Sequence, residues 1–204
     1  MITIIDYGMG NLGSVANMIK KVGGKSLITS NIEEIKKAKK ILLPGVGSFD
    51  NAMENLEKLE LIDILKDKVL NQKTPIMGIC LGMQLLTRGS DEGNLEGFGF
   101  VDAFTHKFKF EDNNLKVPHM GWNRVKLEKK SKLFEGMGEQ ENRFYFVHSF
   151  AVGCQEKEDV LTTTSYGYSF VSSFEKENII GVQFHPEKSH KFGMRLFKNF
   201  VERY

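Results

Sequence analysis

The chain is poor in cysteine: Cys80 and Cys154 are the only two among 204 residues, and they sit in unlike surroundings. The disulfide framework of a small secreted domain normally needs more, so a reducing, cytoplasmic setting is expected. Charge excess is lacking as well. Lys and Arg number 28 against 26 Asp and Glu, a formal net charge of +2, and the two signs are interspersed. Without a basic stripe, nucleic acid is not expected as the main partner. No apolar run reaches membrane-spanning length. The opening "MITIIDYGMG" has no basic leader, and its apolar run breaks at Asp6, so no signal peptide is expected. Repeats, low-complexity tracts and linkers are also missing. With 41% hydrophobic and 26% charged residues, the expectation is one globular domain over 1–204.

What is present alternates. Residues 2–5, 26–29, 41–43 and 75–79 are short apolar runs, partly β-branched, that end in turn residues and are separated by helical patterns. That rhythm predicts an α/β fold, a doubly wound, mostly parallel sheet flanked by helices. In "SNIEEIKKAKK", Asn31 is placed to cap a helix, with acids leading and lysines trailing. From Phe98 to Val182 the texture changes to alternating segments such as "RFYFVHSFAV" and "YSFVSSF". Antiparallel additions to the sheet are expected there, in the C-terminal half. In the closing "SHKFGMRLFKNFVERY", Met194, Phe197, Phe200 and Val201 recur at helical spacing and are expected in the core.

"GMGNLG", Gly8 to Gly13, matches the G-x-G-x-x-G dinucleotide fingerprint. The second strand, however, ends in "KSLITSN" without the acid that would hold a ribose hydroxyl, and Asp6 would repel a pyrophosphate. The segment is read as a tight strand-to-helix turn, and no cofactor is expected.

"GICLGMQLL" places Cys80 between Gly78 and Gly82 where a buried strand gives way to a helix. Small neighbours permit a strained turn and close approach of other segments, leaving the sulfur exposed at the positive end of a helix. A buried, inert cysteine is the alternative. A nucleophilic thiol needs a base. "GVQFHPEKS" offers His185, with Glu187 two residues on and on the same face if strand geometry persists, and Pro186 favours an extended conformation at His185. Glu187 would then fix the imidazole tautomer and leave the other nitrogen to serve Cys80; the alternative is a structural His–Glu pair. Oxyanion donors would come from the backbone N–H of Gly47 in "LLPGVGSF" and of Leu81, the residue after the thiol. An ordinary glycine turn would also account for "PGVG".

Metal binding fails on spacing, since the cysteines lie far apart and His185 and His190 do not form a zinc-helix pattern. His119 and His148 are read as structural or substrate-framing, and His106 as a surface residue.

With "GICLGMQLL" and "FHPEKS", the sequence resembles class I glutamine amidotransferases with a Cys-His-Glu triad. "IIDYGMGN", "LPGVGSF", "PHMGWN" and "YFVHSF" narrow the resemblance to the glutaminase subunits of imidazole glycerol phosphate synthase. The resemblance implies that Cys80, His185 and Glu187 hydrolyse glutamine. It also implies that Gln84, Ser149 and Phe150 hold the substrate's amino-acid end. Ammonia would pass to a separate (β/α)8-barrel cyclase subunit of the histidine pathway, in a heterodimer contacted by Asn11, Trp122 and Lys188. The stretches "EKSHKFG" and "AVGCQEKEDVLTTTSYG" also resemble a paralogous branch that supplies ammonia for amidating surface sugars. A noncatalytic regulatory subunit and a cysteine hydrolase of other amides are the remaining alternatives.

Overall fold

The computed structural model describes residues 1–110, 115–138 and 142–204. The N-terminal half alternates β1 (Ile2–Ile5), α1 (Leu12–Lys21), β2 (Ser26–Thr29), α2 (Ile32–Lys36) and β3 (Ile41–Gly45). It continues with α3 (Phe49–Lys58), α4 (Leu61–Lys66), β4 (Ile76–Cys80) and α5 (Leu81–Leu85). The C-terminal half is strand-rich: β5 (Ala103–Lys107), β6 (His119–Arg124), β7 (Lys126–Leu127), β8 (Arg143–His148) and β9 (Phe150–Cys154). It ends with β10 (Val160–Tyr166), β11 (Tyr168–Lys176), β12 (Ile179–Val182) and α6 (His190–Arg203).

The four apolar runs are the strands they were expected to be, and they lie parallel. The sheet order is β2-β1-β3-β4-β12-β11-β10-β7, with β9 pairing β11 and β5. Antiparallel strands do extend the sheet, but β12 departs from the expectation: it runs parallel to β4, with Val182 beside Ile79. Sequence alternation reports a half-buried strand but not its direction, and here a strand fed antiparallel from β11 fills the parallel slot beside β4. β6 and β8 stand apart as a two-stranded sheet.

Both faces of the sheet are covered. Ile4 of β1 packs with Ile19 of α1 and with Leu196, Phe197 and Phe200 of α6, whereas the next residue, Ile5, packs with Phe49, Leu56 and Leu65 of α3 and α4. Strand periodicity thus splits one apolar run between two cores. Met194 is not in either core: it is 40% exposed, and Val201 is only partly buried. The cause is Gly193, where an added Cβ would lie 1.8 Å from the Pro186 carbonyl oxygen. α6 approaches the Pro186–Lys188 turn at that point, which rotates Met194 outward. Asn31 caps α2, its side-chain oxygen accepting from the Glu34 N–H at 3.2 Å.

Close approach also explains the glycines around Cys80. An added Cβ at Gly82 would lie 1.7 Å from the Leu43 carbonyl oxygen, and one at Gly78 would lie 2.4 Å from the Gly82 carbonyl oxygen. α5 therefore rests directly on the backbones of β3 and β4. Gly82→Ala is expected to cost about 3 kcal/mol, the upper range for overpacking. For a chain of this size that is a fall of roughly 6–12 °C in melting temperature. An unchanged melting curve would show that α5 does not pack this closely.

Candidate active site

β4 ends at Cys80, whose φ of 56° and ψ of −112° are sparsely populated for a non-glycine residue. The strain therefore sits on Cys80 itself, while the flanking glycines serve the close packing. The sulfur is less open than expected, since Cys80 is 7% exposed. It lines a cavity of about 320 Å³ together with Val46, Gly47, Leu81, Gln84, Glu92, Pro118, His185 and residues 147–150. A larger open groove of about 1010 Å³ runs along residues 126–137, but its lining of lysines, acids and apolar side chains holds no thiol and no histidine.

His185 lines the same cavity. Its N–H donates to the Tyr145 carbonyl at 2.8 Å, tying it to β8, and the Ser189 hydroxyl donates to its carbonyl at 2.6 Å. His185 is extended, as the following proline favours. The strand does not continue to Glu187, however. A 3₁₀ turn over Pro186–Lys188 brings the carboxylate back, so that Nδ1 of His185 donates to Oε1 of Glu187 at 2.7 Å. The pairing is as expected, but a turn produces it rather than strand alternation. Both side chains are almost wholly buried. With Nδ1 committed, Nε2 is the free nitrogen, buried without a hydrogen-bond partner among the described residues in a side chain that shares the cavity with Cys80. Burial alone would lower the proton affinity of His185, but the Cys80 sulfur and the Glu187 carboxylate outweigh it and raise the pKa well above the usual histidine range.

The other expected residues divide into two groups. Gly47, with φ of 106°, Leu81, Gln84, Ser149 and Phe150 all line the cavity. Gln84 is turned inward, its Nε2 donating to Oε1 of Gln183 at 3.1 Å. Asn11, Trp122 and Lys188 lie outside it. Asn11 is exposed and caps α1, accepting from the Ser14 N–H at 3.4 Å. Trp122, 46% exposed, stacks on His190, while the Lys188 ammonium lies 5.8 Å from the Tyr145 ring centre. The Gly8–Gly13 turn packs against the "PGVG" loop: a Cβ at Gly10 would lie 3.1 Å from the Pro44 carbonyl oxygen, and one at Gly47 would lie 2.5 Å from Met9 Cε. The Tyr7 hydroxyl donates to that same Pro44 carbonyl at 2.7 Å.

His148 lines the cavity and forms a buried pair with His119, which is not among the lining residues. His148 Nδ1 lies 2.7 Å from the Phe150 carbonyl and so carries the proton; its Nε2 accepts from His119 Nδ1 at 3.0 Å, and His119 Nε2 accepts from the Asn123 amide at 3.2 Å. Burial pushes His148 down to about 3 and His119 down to about 4, so both are neutral near pH 7. His106 is at the surface beside Asp91, 3.4 Å away. Cys154 is half-buried on β9, and burial pushes its thiol up to about 12.

Two residues at the site escaped sequence reasoning. Glu92 lines the cavity, with Oε2 accepting from the Phe49 N–H at 2.9 Å, and burial raises its pKa. Gln183 is fully buried, with Nε2 3.8 Å from Cys80 Sγ. Glu92 belongs to a polar loop with no periodic pattern. Gln183 sits within the same "GVQFHPE" run as His185, where a polar residue at the end of an apolar strand is the signal that marks it.

The sequence profile of glutamine amidotransferase class I matches residues 3–204. The chain belongs to this family. Among relatives of this amidotransferase, imidazole glycerol phosphate synthase subunit HisH 2 of Methanococcus maripaludis is 58% identical over 203 residues, covering 100% of both chains. Subunit HisH 1 of Campylobacter jejuni strain RM1221 is 50% identical, covering 98% of this chain and 99% of the other. The amidotransferase also shares its fold with a crystal structure described as a glutamine amidotransferase, at a TM-score of 0.74 and 16% identity over 99% of this chain and 98% of that one. The PurLQS structure from Thermotoga maritima superposes with a TM-score of 0.71 at 16% identity, over 98% of this chain and 96% of the matched one.

Proposed function

We propose that the whole chain is one glutaminase unit, in which Cys80, His185 and Glu187 split glutamine into glutamate and ammonia. The observation that supports this reading most directly is the buried His185–Glu187 pair at 2.7 Å, in the cavity that Cys80 lines. The Cys80 thiolate attacks the amide carbon, and the oxyanion formed there is met by the N–H groups of Gly47 and Leu81. The imidazolium of His185 gives its Nε2 proton to the departing nitrogen as the C–N bond breaks, which leaves a thioester and ammonia. His185 then takes a proton from water, whose oxygen attacks the thioester carbonyl; glutamate leaves and the thiolate is restored. Gln84 and the backbone at Ser149 and Phe150 hold the amino-acid end. Glu92 offers its carboxylate to the substrate's α-ammonium.

Ammonia must leave unprotonated to act as a nucleophile, so a sheltered exit into a partner follows. The relatives are named as synthase subunits, which supports a (β/α)8-barrel cyclase (HisF-type) partner, histidine biosynthesis as the pathway and a cytoplasmic setting. Trp122 and Lys188, on one face beside Tyr145, and Asn11 in the loop packed on "PGVG" would meet that partner. A second reading is ammonia supply for sugar amidation by a paralogous barrel. It is favoured by the numerals in the relatives' names, HisH 1 and HisH 2, which fit organisms with more than one such subunit.

The test is glutamate release by this protein mixed with the histidine-pathway barrel subunit of its own organism, with and without the phosphoribosyl-formimino carboxamide nucleotide. Stimulation of tenfold or more (about 1.4 kcal/mol of transition-state stabilisation) is expected. No stimulation by a barrel that remains active on ammonia would overturn the pathway assignment and favour the sugar branch.

A further inference from the structure

Taking Cys80 as the nucleophile, we propose that Gln183 is a catalytic residue that donates a hydrogen bond to the Cys80 thiolate, and that Gln84 aims it. The parallel register of β12 on β4 sets Gly181 beside Gly78 and Val182 beside Ile79. The residue that follows β12, Gln183, therefore arrives alongside Cys80, held by its own backbone N–H donating to the Ser172 carbonyl at 2.9 Å. Its side chain is fully buried, and a buried primary amide must be satisfied by named partners.

The partners fix which end of the amide faces the sulfur. Gln84 Nε2 lies 3.5 Å from the Phe150 carbonyl, which can only accept, so this end of Gln84 is the NH₂. The same NH₂ donates to Oε1 of Gln183 at 3.1 Å, which leaves the Gln183 NH₂ directed at Cys80 Sγ, 3.8 Å away. Polarity thus runs one way along the row.

The contact favours one protonation state. In the neutral thiol, the S–H is directed at the Val147 carbonyl at 3.9 Å. Once that proton is lost, the carbonyl has no donor to accept from, whereas the Gln183 N–H gains a charged acceptor and its bond strengthens. Gln183 therefore stabilises the thiolate both as attacking group and as leaving group when the thioester C–S bond breaks. The other titratable groups facing this sulfur are His185 with Glu187 behind it, Tyr7, whose hydroxyl is committed to Pro44, and Glu92 and His148 on the cavity wall.

The experiment is the pH profile of Cys80 alkylation by iodoacetamide, followed by mass spectrometry, together with kcat and KM for glutamine. Iodoacetamide needs a thiolate but no oxyanion donor. Gln183→Met, of similar volume and without a donor, is expected to raise the pH of half-maximal alkylation by about one unit, the scale of a single lost hydrogen bond to a charge. It should lower kcat about tenfold or more while KM moves less than threefold. Gln183→Asn, whose shorter amide withdraws from the sulfur, should fall between. A folded variant of either kind with an unmoved profile and unmoved kcat would overturn the proposal. If neither folds, the Gln183 side-chain N–H resonances of the native protein decide: they are expected to move downfield over the pH range in which alkylation rises, and unmoved resonances would overturn it. Failure of the nucleophile assignment itself looks different, because hydrolysis would then survive Cys80→Ala.

Discussion

Cys80→Ala should lower glutamine hydrolysis by at least ~10⁴-fold, the scale seen when a covalent nucleophile is removed from a working triad. Synthesis fed by ammonia through the partner should stay within about twofold of native. The split follows from the geometry. The thiol lines the cavity that His185 also faces, and the other cysteine, Cys154, is held protonated by burial and stands on β9. No second sulfur is placed to take over. Removing one sulfur at the end of β4 also leaves the Trp122 and Lys188 face untouched, so partner docking should persist. A glutamine-like electrophile should label Cys80 in the native protein and spare Cys154. Hydrolysis above a tenth of native in the alanine variant, or labelling confined to Cys154, would remove Cys80 from the nucleophile's role. Loss of both glutamine-fed and ammonia-fed synthesis would instead mean that the complex no longer assembles.

The elements of the fold were more legible than their partnerships. The apolar runs at 2–5 and 41–43 announce parallel strands because each is buried on both faces, and Asn31 announces a cap because its side chain answers a free N–H. The glycines in "GMGNLG" mark a turn, and Gly8 and Gly10 take positive φ, of 80° and 101°. Direction and adjacency are non-local: nothing within β12 states that it will lie parallel to β4, yet that register places both Gln183 and His185 near Cys80. Met194 illustrates the same limit within a helix. Its spacing matches the apolar stripe, but Gly193 pressed on Pro186 sets the rotation of α6. Glu92 was invisible because its role depends on the Phe49 N–H, 43 residues away in sequence. The elbow at Cys80 and the pairing of His185 with Glu187 are legible because the residues involved are close in sequence; the 3₁₀ turn that makes the pairing, and the contacts assembled by the sheet, are not.

The second large effect is expected at Glu187. Glu187→Gln should reduce kcat by about 10²–10⁴-fold, the range for losing the carboxylate that orients a triad histidine, with KM changing only a few-fold. The carboxylate accepts from Nδ1 of His185 at 2.7 Å, which leaves Nε2 free to serve as the acceptor in the proposed chemistry. A glutamine side chain can turn its NH₂ toward Nδ1, so that Nδ1 becomes the acceptor and the proton moves to Nε2. That is the wrong tautomer for taking a proton from sulfur or water. The pH dependence should shift with a defined sign. Burial lowers the proton affinity of His185, while Cys80 and Glu187 raise it and prevail; without the Glu187 charge, the limb of the pH profile that reports His185 must move toward lower pH. The second carboxylate oxygen, Oε2, is buried without a hydrogen-bond partner among the described residues. With the NH₂ turned to Nδ1, the amide oxygen takes that position, so the substitution adds no unsatisfied donor there and the kinetic effect is separable from any change in melting temperature. A folded variant that keeps kcat within threefold of native would show that Glu187 does not orient the base. A variant that cannot fold would make the His185–Glu187 pair a structural one.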